Sequence, residues 1–425
     1  MRITILTIGT LGDVQPYVAL GVDLQAAGHR VKIATHEMFR KLIETHDLEY
    51  SPVTGNVKEA IQGGDVREKL DKKRNTLAFF NAIRNAAEPL VEEALKQNIA
   101  ACQNTDHVLV TPITLYMAFL ICRKLDLPMT LCSVNPAGPT REYPNLMMPE
   151  IPSWLPRSGK NLYNAVSHLL VGKIAWHVQR PLLNKAWKNI FNESLPVGEP
   201  VSKFFNKKPP LILNAYSEHV LPRPKDWIDC MQVTGYWYLK NQELFTAPKE
   251  LTDFMNAGEP PVYIGFGSMN SSKIKSGKIM QIIAGALKLS GQRAVVLRDD
   301  PEKNILENHD AVYLTDHIPF DWLFPKMKAI VHHGGAGTCG DSFRSGVPTV
   351  LTPLISDQRF WAARVEQLGV GPKPIPWNGL TAQNLASSIK CAIQDKKMQQ
   401  NAQELCQRIN SEDGVLRAVE LIDEL

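Results

Sequence analysis

Two histidines and a run of glycines, His332-His333-Gly334-Gly335-Ala336-Gly337-Thr338-Cys339-Gly340, close a short apolar segment, Ala329 to Val331. They precede a stretch of helical character, Asp341 to Ser345. Strand, glycine turn and helix start, in that order, are the parts of an anion cradle. Glycines let the backbone approach a ligand closely. The first N–H groups of a helix are unpaired and carry partial positive charge. A histidine at the strand end adds a donor that can become a cation. The ligand expected around His333, Gly335, Gly337 and Thr338 is the diphosphate of a nucleotide. The same glycines spell G-x-G-x-x-G, the dinucleotide fingerprint. A dehydrogenase usually carries that pattern near its first strand, with an acid closing the second. Here it lies late in the chain, and the next apolar run, Val347 to Leu351, ends in Thr352-Pro353. That position disfavours NAD.

Two acidic positions complete the set. Asp13 follows Gly9 to Gly12 at the end of the first apolar run and precedes a helix. It suits either an N-terminal helix cap or a general base that takes the proton of an attacking hydroxyl as the new bond forms. Partial burial would raise its pKa and strengthen the base. Asp357-Gln358 opens a later helix, where an acid complements the dipole. A carboxylate beside an amide is also a clamp for neighbouring sugar hydroxyls. No D-x-D occurs in the chain, and paired carboxylates are what commonly hold a metal on a nucleotide diphosphate. The expectation is no metal and no other cofactor, with the helix start and His333 supplying the positive potential.

These residues need strands to present them. Apolar runs at 3–8, 30–35, 107–110, 128–132 and 211–214 read as strands, with helical segments at 76–99 and 114–125. A stretch from Gln242 to Pro260 is polar and contains prolines. The alternation then restarts with strands at 261–266, 294–297, 311–314, 329–331 and 349–351, and a helix at 273–289. Alternating strand and helix means a parallel, doubly wound α/β sheet. The expected organisation is a first Rossmann-like domain over 1–241, a linker over 242–260, and a second over 261–425 that includes the C-terminal helices. Ligands of such sheets bind at strand C-termini, where both glycine loops sit.

Composition fits this. With 425 residues, 44% hydrophobic and 21% charged, the chain reads as a two- or three-domain globular protein. A net charge of +4 gives no ground for a nucleic-acid partner but suits weak attraction to an anionic membrane surface. Seven scattered cysteines without C-x-x-C suggest neither zinc nor a disulfide scaffold. No apolar run reaches membrane-spanning length, so a cytoplasmic protein, at most peripheral at a membrane, is expected. Ser133 to Lys208 breaks the rhythm with clustered prolines and then an apolar, aromatic helix, Leu162 to Trp176. That segment reads as an inserted helix packed on the domain, an apolar acceptor pocket, or a membrane-facing surface.

Taken together, Thr7 to Pro16, Gly265-Phe266-Gly267-Ser268-Met269, Asp316-His317-Ile318-Pro319, the His332 to Thr338 stretch and Asp357-Gln358 resemble the nucleotide-sugar glycosyltransferases of the two-Rossmann GT-B fold. The nearest likeness is to sterol 3-beta-glucosyltransferases and antibiotic-aglycone glycosyltransferases. Thr140 to Pro144, including Tyr143, and the helix holding Leu169 and Trp176 resemble the sterol-enzyme acceptor region. The resemblance implies inverting transfer of a hexose, glucose from UDP-glucose, to a lipophilic alcohol such as a sterol. Other aglycones (macrolide, glycopeptide, carotenoid, flavonoid) and an inactive binding partner on the same fold are the alternatives. It implies Asp13 as the base. Gly12, Gly267, Ser268, Ile318, His333, Gly335, Gly337 and Thr338 fall on nucleotide contacts, Ile318 through its backbone. Asp357 and Gln358 fall on the sugar clamp, and Leu169, Trp176 and Tyr143 on the acceptor wall.

Overall fold

A computed structural model describes residues 1–55, 84–85, 88–148, 151, 154, 156–207, 209–239, 245–267, 273–298, 306, 310–316, 318–354 and 356–425. The chain divides into two compact units. The first comprises Met1–Glu218, Pro222–Leu239 and Asp413–Leu425; the second comprises His219–Leu221 and Lys240–Glu412.

The first unit is a seven-stranded sheet of β1 (Arg2–Leu6), β2 (Arg30–Thr35), β3 (Glu49–Pro52), β4 (His107–Val110), β5 (Met129–Ser133), β6 (Ile212–Asn214) and β7 (Met231–Val233). The order is β3-β2-β1-β4-β5-β6-β7, and each neighbouring pair is parallel. Its central strands are buried on both faces, which is why they read as near-continuous apolar runs. The flanking helices are α1 (Leu11–Ala26), α2 (Arg40–Glu44), α3 (Val91–Ala101), α4 (Leu115–Leu125), α5 (Arg157–Phe191) and α6 (Pro200–Lys207). β3 and β7 were not legible in the sequence. Both are edge strands, and EYSP and MQV carry too few apolar residues to show a period. Of the helix expected over 76–99, residues 76–83 and 86–87 lie outside the described set, and α3 begins only at Val91.

The second unit is built from α7 (Lys249–Asn256), β8 (Val262–Gly265), α8 (Lys273–Ser290), β9 (Ala294–Leu297), β10 (Val312–Thr315), α9 (Phe320–Leu323), β11 (Ile330–His332), α10 (Ala336–Ser345), β12 (Thr349–Leu351), α11 (Ser356–Leu368), α12 (Ala382–Gln394) and α13 (Lys396–Asn410). Its sheet order is β10-β9-β8-β11-β12, again parallel. Both sheets therefore reverse direction beside their first strand, at β1/β4 and at β8/β11. This switch point is where open α/β sheets bind ligands.

Two boundaries need correction. The stretch 242–260 is not simply a linker. Residues 242–244 lie outside the described set, but α7 packs on the second unit, with Leu251 fully buried beside Tyr263 and Ile318. Phe245 meets Trp322 edge-on at 5.2 Å, and the Arg293 guanidinium lies 4.2 Å from the Phe254 ring centre. Nor do all the C-terminal helices belong to the second domain. The last helix, α14 (Gly414–Asp423), packs on α1, burying Val415, Ala418, Val419 and Ile422 in the first unit's core. Asp413 caps it by accepting the Leu416 N–H at 3.0 Å, and Asp423 pairs with His29 at 2.7 Å. The apolar stripe at i, i+3, i+4 and i+7 has a greasy partner in the first unit, and burial there outweighs chain proximity.

Candidate functional site

In the first unit the switch point is the loop between β1 and α1. Helix α1 begins at Leu11, so Asp13 stands in its first turn rather than in a loop before it. Its Oδ2 accepts both the Thr10 N–H, at 2.8 Å, and the Thr10 hydroxyl, at 2.9 Å. The Thr7 hydroxyl donates to the Asp13 carbonyl at 2.6 Å. Both side-chain bonds use one oxygen of the carboxylate. The turn is possible because residue 9 is glycine. Its φ is +145°, and a Cβ there would stand 2.4 Å from Asp13 Oδ2. Burial raises the Asp13 carboxyl above its ordinary value, and the two Thr10 bonds, which favour the anion, oppose that shift. The result is a half-buried carboxylate, fixed in direction and more basic than a free one. Across the switch, the Thr114 hydroxyl donates to the Leu6 carbonyl at 3.0 Å and ties the β4 loop to β1. Gly12 is exposed, with only Thr10 Oγ1, at 3.9 Å, near a Cβ built on it.

In the second unit the loops after β8 and β11 meet. Gly267 has φ +66°, and a Cβ on it would lie 3.0 Å from His333 Cε1. A Cβ on Gly335 would lie 2.8 Å from His333 Nε2. The imidazole is thus held between two glycine α-carbons, and its Nδ1 is buried without a hydrogen-bond partner among the described residues. Helix α10 starts directly after Gly335, so Gly337 and Thr338 lie in its first turn, and no acid occupies that turn. Their N–H groups are among those a helix leaves unpaired. Ser268 lies outside the described residues. Asp357 lies in the first turn of α11, close enough that its charge adds to burial in raising the Cys339 thiol on α10. The sugar-clamp candidate is therefore beside the cradle. The Gln358 backbone backs it, since a Cβ on Gly334 would meet the Gln358 carbonyl at 3.1 Å. Gln358 Oε1 is engaged by the Leu354 N–H at 2.9 Å. Ile318 is 5% exposed, its side chain in the core with Leu323 and Phe324.

One electrostatic expectation is corrected. Burial lowers the His333 pKa to about 4, so near neutrality the unliganded ring is uncharged and the positive potential comes from the helix start. His332 is also neutral. Its Nδ1 accepts the Gly334 N–H at 3.1 Å, which leaves the proton on Nε2, 3.4 Å from Ser342 Oγ. Asp341, further along α10, was missed as a titrating group. Burial pushes its carboxyl up to about 7, with Arg344 opposing and Asp321 reinforcing. The Thr10 contacts with Asp13 were also missed, although T-x-x-D before an apolar run is the sequence mark of such a turn.

These shifts make stability depend on pH. His36, His107, His168, His332 and His333 all have folded pKa values below the ordinary one, His107 and His333 at about 4. Each stabilises the fold above its unfolded pKa of about 6.5, and that contribution is lost as pH falls toward the folded value. The raised carboxyls of Asp13 and Asp341 act the other way, losing stability as pH rises. Among the described residues, five groups against two give an expected net fall in melting temperature between about pH 6.5 and 4. A flat profile by calorimetry over that interval would contradict buried neutral imidazoles.

The acceptor candidates lie in the first unit. Leu169 is 50% exposed on α5. Trp176 is 2% exposed, against Tyr116 at 5.3 Å, and its indole N–H donates to the Val197 carbonyl at 3.2 Å. It supports the helix from inside. The Tyr143 phenol interacts with the Tyr216 phenol, and the Tyr143 carbonyl lies 3.1 Å from His168 Nε2.

A family model described as UDP-glucuronosyl and UDP-glucosyl transferase matches residues 21–414. The chain belongs to this family. Within it, the chain is 32% identical to a sterol 3-beta-glucosyltransferase of Arabidopsis thaliana over 99% of its own length and 64% of the plant protein. It is 33% identical to a sterol 3-beta-glucosyltransferase of Neurospora crassa over 99% of its length but 27% of that protein. It thus spans about two thirds of the plant relative and about a quarter of the fungal one. Two solved structures share its GT-B fold across the whole chain. One is the calicheamicin glycosyltransferase CalG4, with TM-score 0.68 and 17% identity, covering 98% of that chain. The other is the Streptomyces sp. SF2575 glycosyltransferase SsfS6 complexed with thymidine diphosphate, with TM-score 0.62 and 18% identity, covering 100% of that chain.

Proposed function

We propose that this family member transfers glucose from UDP-glucose to the hydroxyl of a sterol, with inversion at the sugar carbon, at the periphery of a membrane. The observation that carries the chemistry is the cradle at the second switch point, where an imidazole nitrogen that is buried and unpartnered among the described residues shares one loop with an acid-free helix start. Such a group is costly to leave unpaired, and an anionic oxygen satisfies it. The sterol comes from the relatives matched over nearly the whole chain.

The roles follow. In this reading His333 and the backbone at Gly335, Gly337 and Thr338 take the diphosphate, Gly267 contacts the nucleotide, Gly12 and Ser268 keep the nucleotide role that the resemblance implies, and the Ile318 backbone meets uracil. Asp357 binds sugar hydroxyls with Gln358. Leu169, Trp176 and Tyr143 form or support the acceptor wall. Asp13 accepts the acceptor's proton while the oxygen bonds to the sugar C1. The bond from C1 to the phosphate oxygen breaks, and UDP leaves with the electron pair. The helix start and the His333 N–H stabilise that developing charge, so no metal is required.

Offering the purified protein UDP-glucose with sterols, carotenoid alcohols, flavonoids and macrolide aglycones, read by mass spectrometry, tests the acceptor class. A sterol glucoside as main product is expected; preference for a small hydrophilic acceptor would overturn the reading. Asp357→Ala is expected to weaken UDP-glucose binding by roughly 5- to 100-fold and UDP binding little, since an unmet polar group costs about 1–3 kcal/mol. Equal losses for both ligands in calorimetry would show that Asp357 serves the nucleotide or the fold.

A further inference from the structure

Helix α5 is built inside out over its first half. The residues it turns inward up to His168 are polar, Asn164 and Ser167 buried and His168 half-buried, and only the next inward residue, Val171, is apolar. The polar three bind the proline-rich loop. Asn164 Nδ2 donates to the Arg141 carbonyl at 2.8 Å, and the Asn145 N–H donates to Ser167 Oγ at 2.8 Å. His168 contributes the Tyr143 contact already described. The Tyr116 hydroxyl adds a bond to the Gly172 carbonyl at 2.7 Å. These bonds fix the rotation of the helix about its axis. The outward face is apolar: Leu162 is 66%, Val166 48%, Leu169 50% and Leu170 42% exposed, at i, i+4, i+7 and i+8. Trp154, just before the helix, is 78% exposed.

The charge on this helix is one-sided. Residues 157–191 contain Arg157, Lys160, Lys173, Arg180, Lys185 and Lys188, and no Asp or Glu. Lys173 is exposed and continues the apolar stripe at i+11. An apolar stripe edged by cations suits the boundary between headgroups and acyl chains of an anionic bilayer. A second copy of the chain is a poor occupant, because two such helices would bring like charges together.

We propose that the face of Leu162, Val166, Leu169 and Leu170, with Trp154, seats the enzyme on a bilayer of anionic lipid. Its purpose rests on the reading of the acceptor as a membrane lipid, but the binding itself needs neither donor nor acceptor. The full chain is centrifuged with sterol-free vesicles of phosphatidylcholine alone or mixed with phosphatidylserine. Binding to the mixed vesicles is expected, weaker on phosphatidylcholine and weaker in about 1 M NaCl, where the screening length is roughly 3 Å. The double variant Leu162→Glu, Val166→Glu is expected to melt as wild type and to bind mixed vesicles at least ~10-fold less. Lys173→Glu, a change of two charge units, is expected to lose ~30-fold on mixed vesicles only, at about 1 kcal/mol per unit charge, and decides the matter if the double variant does not fold. Absence of binding to mixed vesicles, or unchanged binding by the variants, would overturn the proposal. So would a dimer in light scattering that the double variant dissolves. Vesicle binding without sterol glucosylation would sink the function proposed above and leave the docking surface standing.

Discussion

Asp13→Asn is expected to lower kcat for sterol glucosylation by about 10²- to 10⁴-fold, the usual effect of removing a general base, with UDP affinity unchanged. The amide oxygen can still accept the two Thr10 bonds that Oδ2 now takes, at 2.8 and 2.9 Å, so the turn survives and melting should barely move. What the amide cannot do is accept a proton. Because burial raises the carboxyl, the wild-type rate should climb with pH through a value above that of an ordinary Asp, and the variant should lose that limb. Turnover within a few-fold of wild type would reduce Asp13 to a helix-capping residue.

His333→Ala is expected to weaken UDP binding and transfer together, by roughly 10- to 100-fold, since a hydrogen bond to a charged group contributes about 1.5–3 kcal/mol. Diphosphate is present in substrate and transition state alike, so KM and kcat/KM should move more than kcat. The unliganded ring is neutral above about pH 4. A bound anion favours its protonation, so its NMR titration should move upward when UDP is added. Unchanged UDP affinity in calorimetry would place the phosphate elsewhere.

Much of this was legible in the residues, for identifiable reasons. Strands buried on both faces read as apolar runs, so Arg30–Thr35, His107–Val110, Ala294–Leu297 and Thr349–Leu351, the last an edge strand that is nevertheless buried, fall where expected. The His333 and Asp13 loops follow such strands, so their position at strand C-termini followed from the same pattern. What escaped depends on long-range packing. Nothing local says that Gly414–Asp423 returns to the first unit, because its amphipathic stripe would suit either core. Burial also decides charge. His333 reads as a potential cation in the sequence, and only the glycine-lined slot against Gly267 and Gly335 makes it neutral. Trp176 could line or support the acceptor wall on sequence alone, because an aromatic residue on an apolar helix is equally good core; its contacts with Tyr116 and the Val197 carbonyl put it on the inner, supporting side of the helix.

The most direct test is to incubate the purified chain with UDP-glucose and a sterol in the presence of a chelator, then determine the anomeric configuration of the product by NMR. A β-linked sterol glucoside, formed at the same rate with or without chelator and lost in Asp13→Asn, is the expected result. An α-linked product, strict dependence on added divalent metal, or no transfer to any sterol would contradict it.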